Sequence, residues 1–185
     1  PVTMLAHEFH HSYVARLARP LPAGHDSFPD DALRATLQRL RDEGIADQID
    51  KPHPFRSPNP GLADYARQYN AEYARTPDAI RRLDQLLTSV ADDPSSLKGR
   101  EMDVQMLFWS NGHPNGAYMA REIQETFGVD SLRAADLDPA VFLRIYAAAE
   151  RQHGRPAPLS AGAWRVIDGL DRRYWRRDEE RSPGG

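Results

Sequence analysis

The sequence predicts an all-α protein, one domain over residues 1–176, on three observations. Apolar residues recur at three- and four-residue spacing through most of the chain. The segments that carry them open on Pro, Asp or Ser and close at Gly or Pro, as helices do. Strict alternation occurs once, at Met102, Val104, Met106 and Phe108, in a run too short to separate a strand from an irregular helix.

Composition bounds the rest. With 185 residues, 40% hydrophobic and 28% charged, the chain can bury a sizeable core. A net charge of −3 gives no reason to expect nucleic acid as a partner. There is no Cys, so a metal would have to be held by His, Asp, Glu or water. No apolar run approaches membrane-spanning length. The chain opens on Pro1 and not on Met. The expectation is that its start is missing, and any targeting segment with it, so the compartment stays open.

The first helix is expected from Val2 to Leu17 or Ala18, stopped by Pro20 and Pro22. Leu5, Phe9 and Tyr13 form a stripe expected to face the core. His7 and His11 share another face, one turn apart, and Glu8 stands about 100° round from His7. Two imidazoles so placed can grip one ion from the same side, and the glutamate can reach a water there. His10 lies on a different face, solvated or behind the ligands.

A second helix is expected from Pro29 to Ile49, with Leu33, Leu37, Leu40 and Ile45 inward. Near its end Glu43 and Asp47 share a face, and Gly44 beside them would let the first helix come close. On their own, Asp42, Glu43 and Asp47 also fit a solvated face. Joined to the upstream motif, Glu43 completes a His2Glu set that leaves a fourth position for water. Asp47 would then accept the second ring N–H of a ligand histidine and fix its tautomer.

Residues 51–61 read as an extended Pro-rich surface connector with His53 exposed. A helix from Leu62 to Arg75 carries Tyr65, Tyr69 and Tyr73 as a packing stripe. Thr76 caps a helix to about Val90, and the two form an expected hairpin. Residues 111–116 form a loop that opens a helix from Ala117 to Phe127, closed by Gly128. Loop groups at a helix start can reach into a cleft. His113 is therefore the first candidate for an oxyanion partner and Tyr118 the second, although His113 also fits a plain turn held by Pro114. A short helix over 131–136 and longer ones over 140–153 and 160–176 follow, the last capped by Ser160. The basic run 172–177 is neutralised at once by Asp178, Glu179 and Glu180, and residues 177–185 are expected to be a disordered tail.

Three stretches carry a resemblance: His7-Glu8-Phe9-His10-His11, Glu43-Gly44-Ile45-Ala46-Asp47, and Gly112-His113-Pro114 running on to Gly116 and Tyr118-Met119-Ala120. The first two resemble gluzincin metallopeptidases. All three together resemble an uncharacterised bacterial family of zinc-dependent peptidases. The resemblance implies a zincin-like helical part with metal helices over 1–50 and a helical remainder over 61–176. It also implies Zn2+ held by His7, His11 and Glu43, Glu8 as general base, and a peptide or protein substrate. Gluzincins carry a β-sheet ahead of the metal helix, and nothing in these 185 residues supplies one. That keeps a second expectation open: a non-catalytic helical binding or scaffold module. Its metal would be structural or vestigial, with His10, Asp47 or His113 closing the site.

Overall fold

A computed structural model describes residues 2–18, 20–25, 28–57 and 59–176. Among the described residues there are nine α-helices and no strand. They are α1 (Val2–Leu17), α2 (Asp31–Asp50), α3 (Ala63–Ala74), α4 (Thr76–Asp92), α5 (Glu101–Gln105), α6 (His113–Phe127), α7 (Val129–Ala135), α8 (Pro139–Gln152) and α9 (Ala161–Leu170).

The central crossing is that of α2 with α6, and two glycines make it possible. A Cβ placed on Gly44 would lie 2.3 Å from the backbone carbon of Gly116. One placed on Gly116 would lie 2.0 Å from the Leu40 carbonyl oxygen. Neither contact is tolerable, so the two backbones meet only because both positions lack a side chain. Gly44 thus serves α6 and not, as the sequence suggested, α1.

Around this crossing the apolar stripes close into one core. Leu33, Leu37 and Leu40 of α2 meet Leu83 and Leu87 of α4, Met119 and Ile123 of α6, Phe142 and Tyr146 of α8, and Ile167 of α9. A smaller cluster forms where Tyr69 and Tyr73 of α3 pack on Ala117 of α6, beside Phe55 and Trp109.

Helix α1 behaves differently from the expectation. Leu5, Phe9 and Tyr13 are 57%, 64% and 56% exposed, and the residues it buries are His7 and Val14. The face turned to α2 is the one bearing the histidines, because α2 presents carboxylates there that imidazoles satisfy and apolar side chains do not.

Several local expectations also change. Residues 63–92 do not fold as a closed hairpin: α3 packs chiefly on α6 and α4 on α9. The Thr76 hydroxyl donates back to the Tyr73 carbonyl at 2.8 Å and does not cap α4. The alternating run begins in the short α5 and continues into the turn after it, with Val104 and Phe108 buried and Met102 and Met106 exposed. The last helix ends at Leu170 and widens into a π-turn over Asp171–Trp175. His53 is half-buried, its ring stacked 3.8 Å from that of Tyr73. Asp138 and Ser160 do cap α8 and α9 through their side chains. No helix among the described residues is long and apolar enough to cross a membrane. The tail expected at 177–185 lies outside the described residues.

Candidate metal centre

The site lies where α1, the last two turns of α2 and the first turn of α6 meet. Helical periodicity places His7 and His11 on the buried side of α1 and Glu43, Asp47 and Asp50 along one side of α2. His113 enters from α6, which begins at His113 itself and not at Ala117. The chain reaches that helix through Ser110 (φ 50°), Asn111 (φ 56°) and Gly112 (φ 90°). Two non-glycine residues in the left-handed region cost free energy, and the bend they make delivers His113 in the first turn.

His7 Nε2 lies 3.1 Å from His11 Nε2. Both approach the same oxygen, Glu43 Oε2, His7 at 3.5 Å and His11 at 3.1 Å. All three ligand atoms lie within 4.8 Å of one another. Zinc with bonds of about 2.0–2.2 Å in tetrahedral geometry needs ligand atoms about 3.3–3.6 Å apart. Two nitrogens and one carboxylate oxygen are also donors that zinc accepts. Spacing and donor set therefore fit the ion.

Behind these atoms is an ordered polar layer. His7 Nδ1 is 3.0 Å from Asp50 Oδ1 and 3.6 Å from Asp47 Oδ1. A proton on Nδ1 given to Asp50 leaves the Nε2 lone pair facing His11 and Glu43. The partner expected for a ligand histidine was Asp47. Asp47 instead lies 3.0 and 3.1 Å from His113 Nδ1, receives the Tyr69 hydroxyl at 2.9 Å, and receives Lys51 Nζ at 2.7 Å. Lys51 also reaches Asp50 at 3.2 Å, so one ammonium pairs with both carboxylates. A second set within ligating reach, His7, Asp47 and Asp50, is built from these same groups. Lys51 already occupies both of its carboxylates. That makes it an ion-pair network rather than a vacant cation site.

The electrostatics follow from this packing. The Glu43 carboxylate beside His7 holds that imidazole above its usual pKa, against desolvation and the Lys51 charge. Burial alone would raise the Glu43 carboxyl, but the hydrogen bond from His7 and the nearby His113 and His11 outweigh it and hold it low. Burial pushes the Tyr69 phenol far upward, so it stays a donor to Asp47.

His113 Nε2 is 3.3 Å from Glu43 Oε2, on the side of Glu43 that opens into a cleft. The cleft, about 750 Å3, is lined by His7, Glu8, His11, Glu43, Asp50, Lys51 and His113 with Thr3, Met4, Phe55, Ser57, Asn59, Leu62 and Tyr65. Glu8 is exposed within it. Tyr118 is not among these residues. It packs between Tyr73 and Tyr146, its hydroxyl facing Arg155 at 3.4 Å. The structure therefore brings together His7, Glu8, His11, Glu43, Asp47 and His113 and leaves Tyr118 apart. His10 is also apart, its Nε2 3.4 Å from Asp136. Asp50, Lys51 and Tyr69 were not foreseen. Asp50 had a signal, since Glu43, Asp47 and Asp50 follow one helical face. Tyr69 had none, because its contact depends on how α3 docks.

Fold and site define an all-α protein with a candidate His2Glu metal centre. More particularly, the chain belongs to the family described as "putative zinc dependent peptidase (DUF5700)", whose model matches residues 1–154. No curated protein and no solved structure matches it.

Proposed function

We propose that the chain is a zinc-dependent hydrolase, a peptidase of gluzincin type. The observation that carries this reading is the convergence of His7, His11 and Glu43 beside Glu8 in one open cleft. Family membership supports it. His7 Nε2, His11 Nε2 and a Glu43 oxygen would hold Zn2+. Bound there, the ion supplies Lewis acidity that polarises a carbonyl and acidifies water.

The chain's own residues do the rest. Asp50 fixes the His7 tautomer so that its Nε2 faces the ion. The Glu8 carboxylate takes a proton from the attacking water and passes it to the leaving amine. Asp47 orients His113 through Nδ1 and keeps its Nε2 beside Glu43, where an Nε2–H would meet the developing oxyanion.

A closed structural site is the second reading, because His113 Nε2 approaches Glu43 Oε2. Against it, neither group of ligand atoms that lie within 4.8 Å of one another among the described residues, His7, His11 and Glu43 or His7, Asp47 and Asp50, takes in His113. Metal analysis and a chelator-sensitive casein assay separate the two. The peptidase reading expects about one zinc per chain and cleavage lost on chelation. It also expects Glu8→Gln to keep the metal while kcat falls at least ~100-fold. Zinc-loaded protein that cleaves nothing would favour the closed site.

A further inference from the structure

We propose that Phe55, Leu62 and Tyr65, with Met4 of the same cleft, form a subsite for a large apolar side chain. The preferred substrate is then a peptide carrying Leu or Phe beside the cleaved bond. This rests on the peptidase reading above for the bond and on independent observations for the side chain.

The cleft has two unlike walls. One is the polar wall of histidines and carboxylates already described. The other is largely apolar, with Phe55 from the connector, Leu62 from the turn before α3 and Tyr65 from its first turn, interspersed with Ser57 and Asn59. Leu62 is 44% exposed and Met4 63% exposed. Two large apolar side chains open to water on the rim of one concave site mark a place where apolar surface is covered.

The wall is also built to stay in place. The Phe55 backbone is clamped by the Asn70 amide, which accepts from Phe55 N–H at 2.8 Å and donates to its carbonyl at 2.9 Å. The Phe55 ring packs on Tyr69 and Tyr65, with centroids 5.3 and 6.2 Å away, and Tyr65 packs on Trp109 at 5.2 Å. Tyr69 is in turn hydrogen-bonded to Asp47, so the apolar wall and the polar network share one anchor. A wall ordered before binding costs little entropy to use.

Charge points the same way. The lysine that lines the cleft, Lys51, is held by Asp47 and Asp50. Glu43 is engaged by the histidines and Glu8 is assigned to the reaction. Among the described residues that line the cleft, every charge is paired or assigned to the reaction, so none is left to select an acidic or basic side chain at this wall, whereas apolar area is open there.

The experiment uses internally quenched peptides that differ at one position beside the cleaved bond: Leu, Phe, Gly, Lys or Asp. For the zinc-loaded chain, kcat/KM should be about 10- to 100-fold higher with Leu or Phe than with Gly. Leu62→Asp should lower the Leu-to-Lys ratio of kcat/KM about tenfold while zinc content stays unchanged. In parallel, the same peptides are titrated calorimetrically into zinc-loaded Glu8→Gln protein. The Leu and Phe peptides should bind about tenfold more tightly than the Gly peptide, and Leu62→Asp in that background should remove the difference. Cleavage with no side-chain preference overturns the subsite and leaves the peptidase reading intact. Apolar preference in binding, without cleavage by the parent chain, upholds the subsite and overturns the peptidase reading. Equal binding of all five peptides together with no cleavage overturns both.

Discussion

His7 shows how one side chain ties the site to the fold. It is a charge-capable group that is almost wholly buried, and burial is tolerated because both ring nitrogens have partners. Asp50 is the partner that decides which nitrogen faces the ligand set. Asp50→Asn keeps the shape and removes the carboxylate charge that makes the imidazole a better donor. Zinc affinity should then fall about 10- to 100-fold, read by competition with a chromogenic chelator. An unchanged affinity would remove Asp50 from the layer behind the ligands. Asp47 has a different task, since its hydrogen bonds run to His113, Tyr69 and Lys51.

At the scale of elements, the crossing of α2 and α6 places His113 beside Glu43. Gly44→Ala would drive a methyl group into the Gly116 backbone, where no rotamer offers relief. The helices must move apart, at an overpacking cost of about 3 kcal/mol or more. Urea titration should show that loss of stability. In whatever fraction folds, cleavage should fall more than zinc content, because Glu43 stays on α2 while His113 retreats with α6. Stability equal to that of the parent would mean that the two helices do not cross so closely. Helix α1 has no such apolar lock, since Phe9 and its stripe lie outside and its docking leans on His7 and Val14.

For the whole molecule, that polar docking makes stability depend on pH in a stated way. His7 titrates higher in the folded chain than its usual 6.5, so its contribution is full below that value and fades as pH rises through the folded pKa. Glu43 titrates lower than its usual 4.5, so its contribution is present above that value and fades as pH falls through the folded pKa. Together they stabilise the metal-free chain most between about pH 4.5 and 6.5. With chelator present, the urea midpoint should be higher near pH 5.5 than near pH 8, and Glu43→Gln should reduce that contrast. Zinc should reverse it, because the ion competes with the proton for the same nitrogen and binds better as pH rises. Identical pH profiles for the parent and Glu43→Gln would remove the ion pair from the account.

The sequence by itself determined what is local. The apolar period and the Pro, Asp and Ser start signals placed α2, α8 and the start of α9 to within a residue or two. The spacing of His7, Glu8 and His11 put two imidazoles on one face and a carboxylate beside them, because helix geometry alone fixes those angles. Only the tertiary structure decided which faces meet. The sequence offered α1 both an apolar stripe and a histidine face, and only the carboxylates across from it on α2 favoured the second. Likewise Gly44 announced a close approach without saying which helix makes it, and Asp47 announced an acceptor without naming His113 as its donor. A period along one chain carries no information about the partner surface. Contact is a property of two elements, and its free energy is fixed only when both are in place.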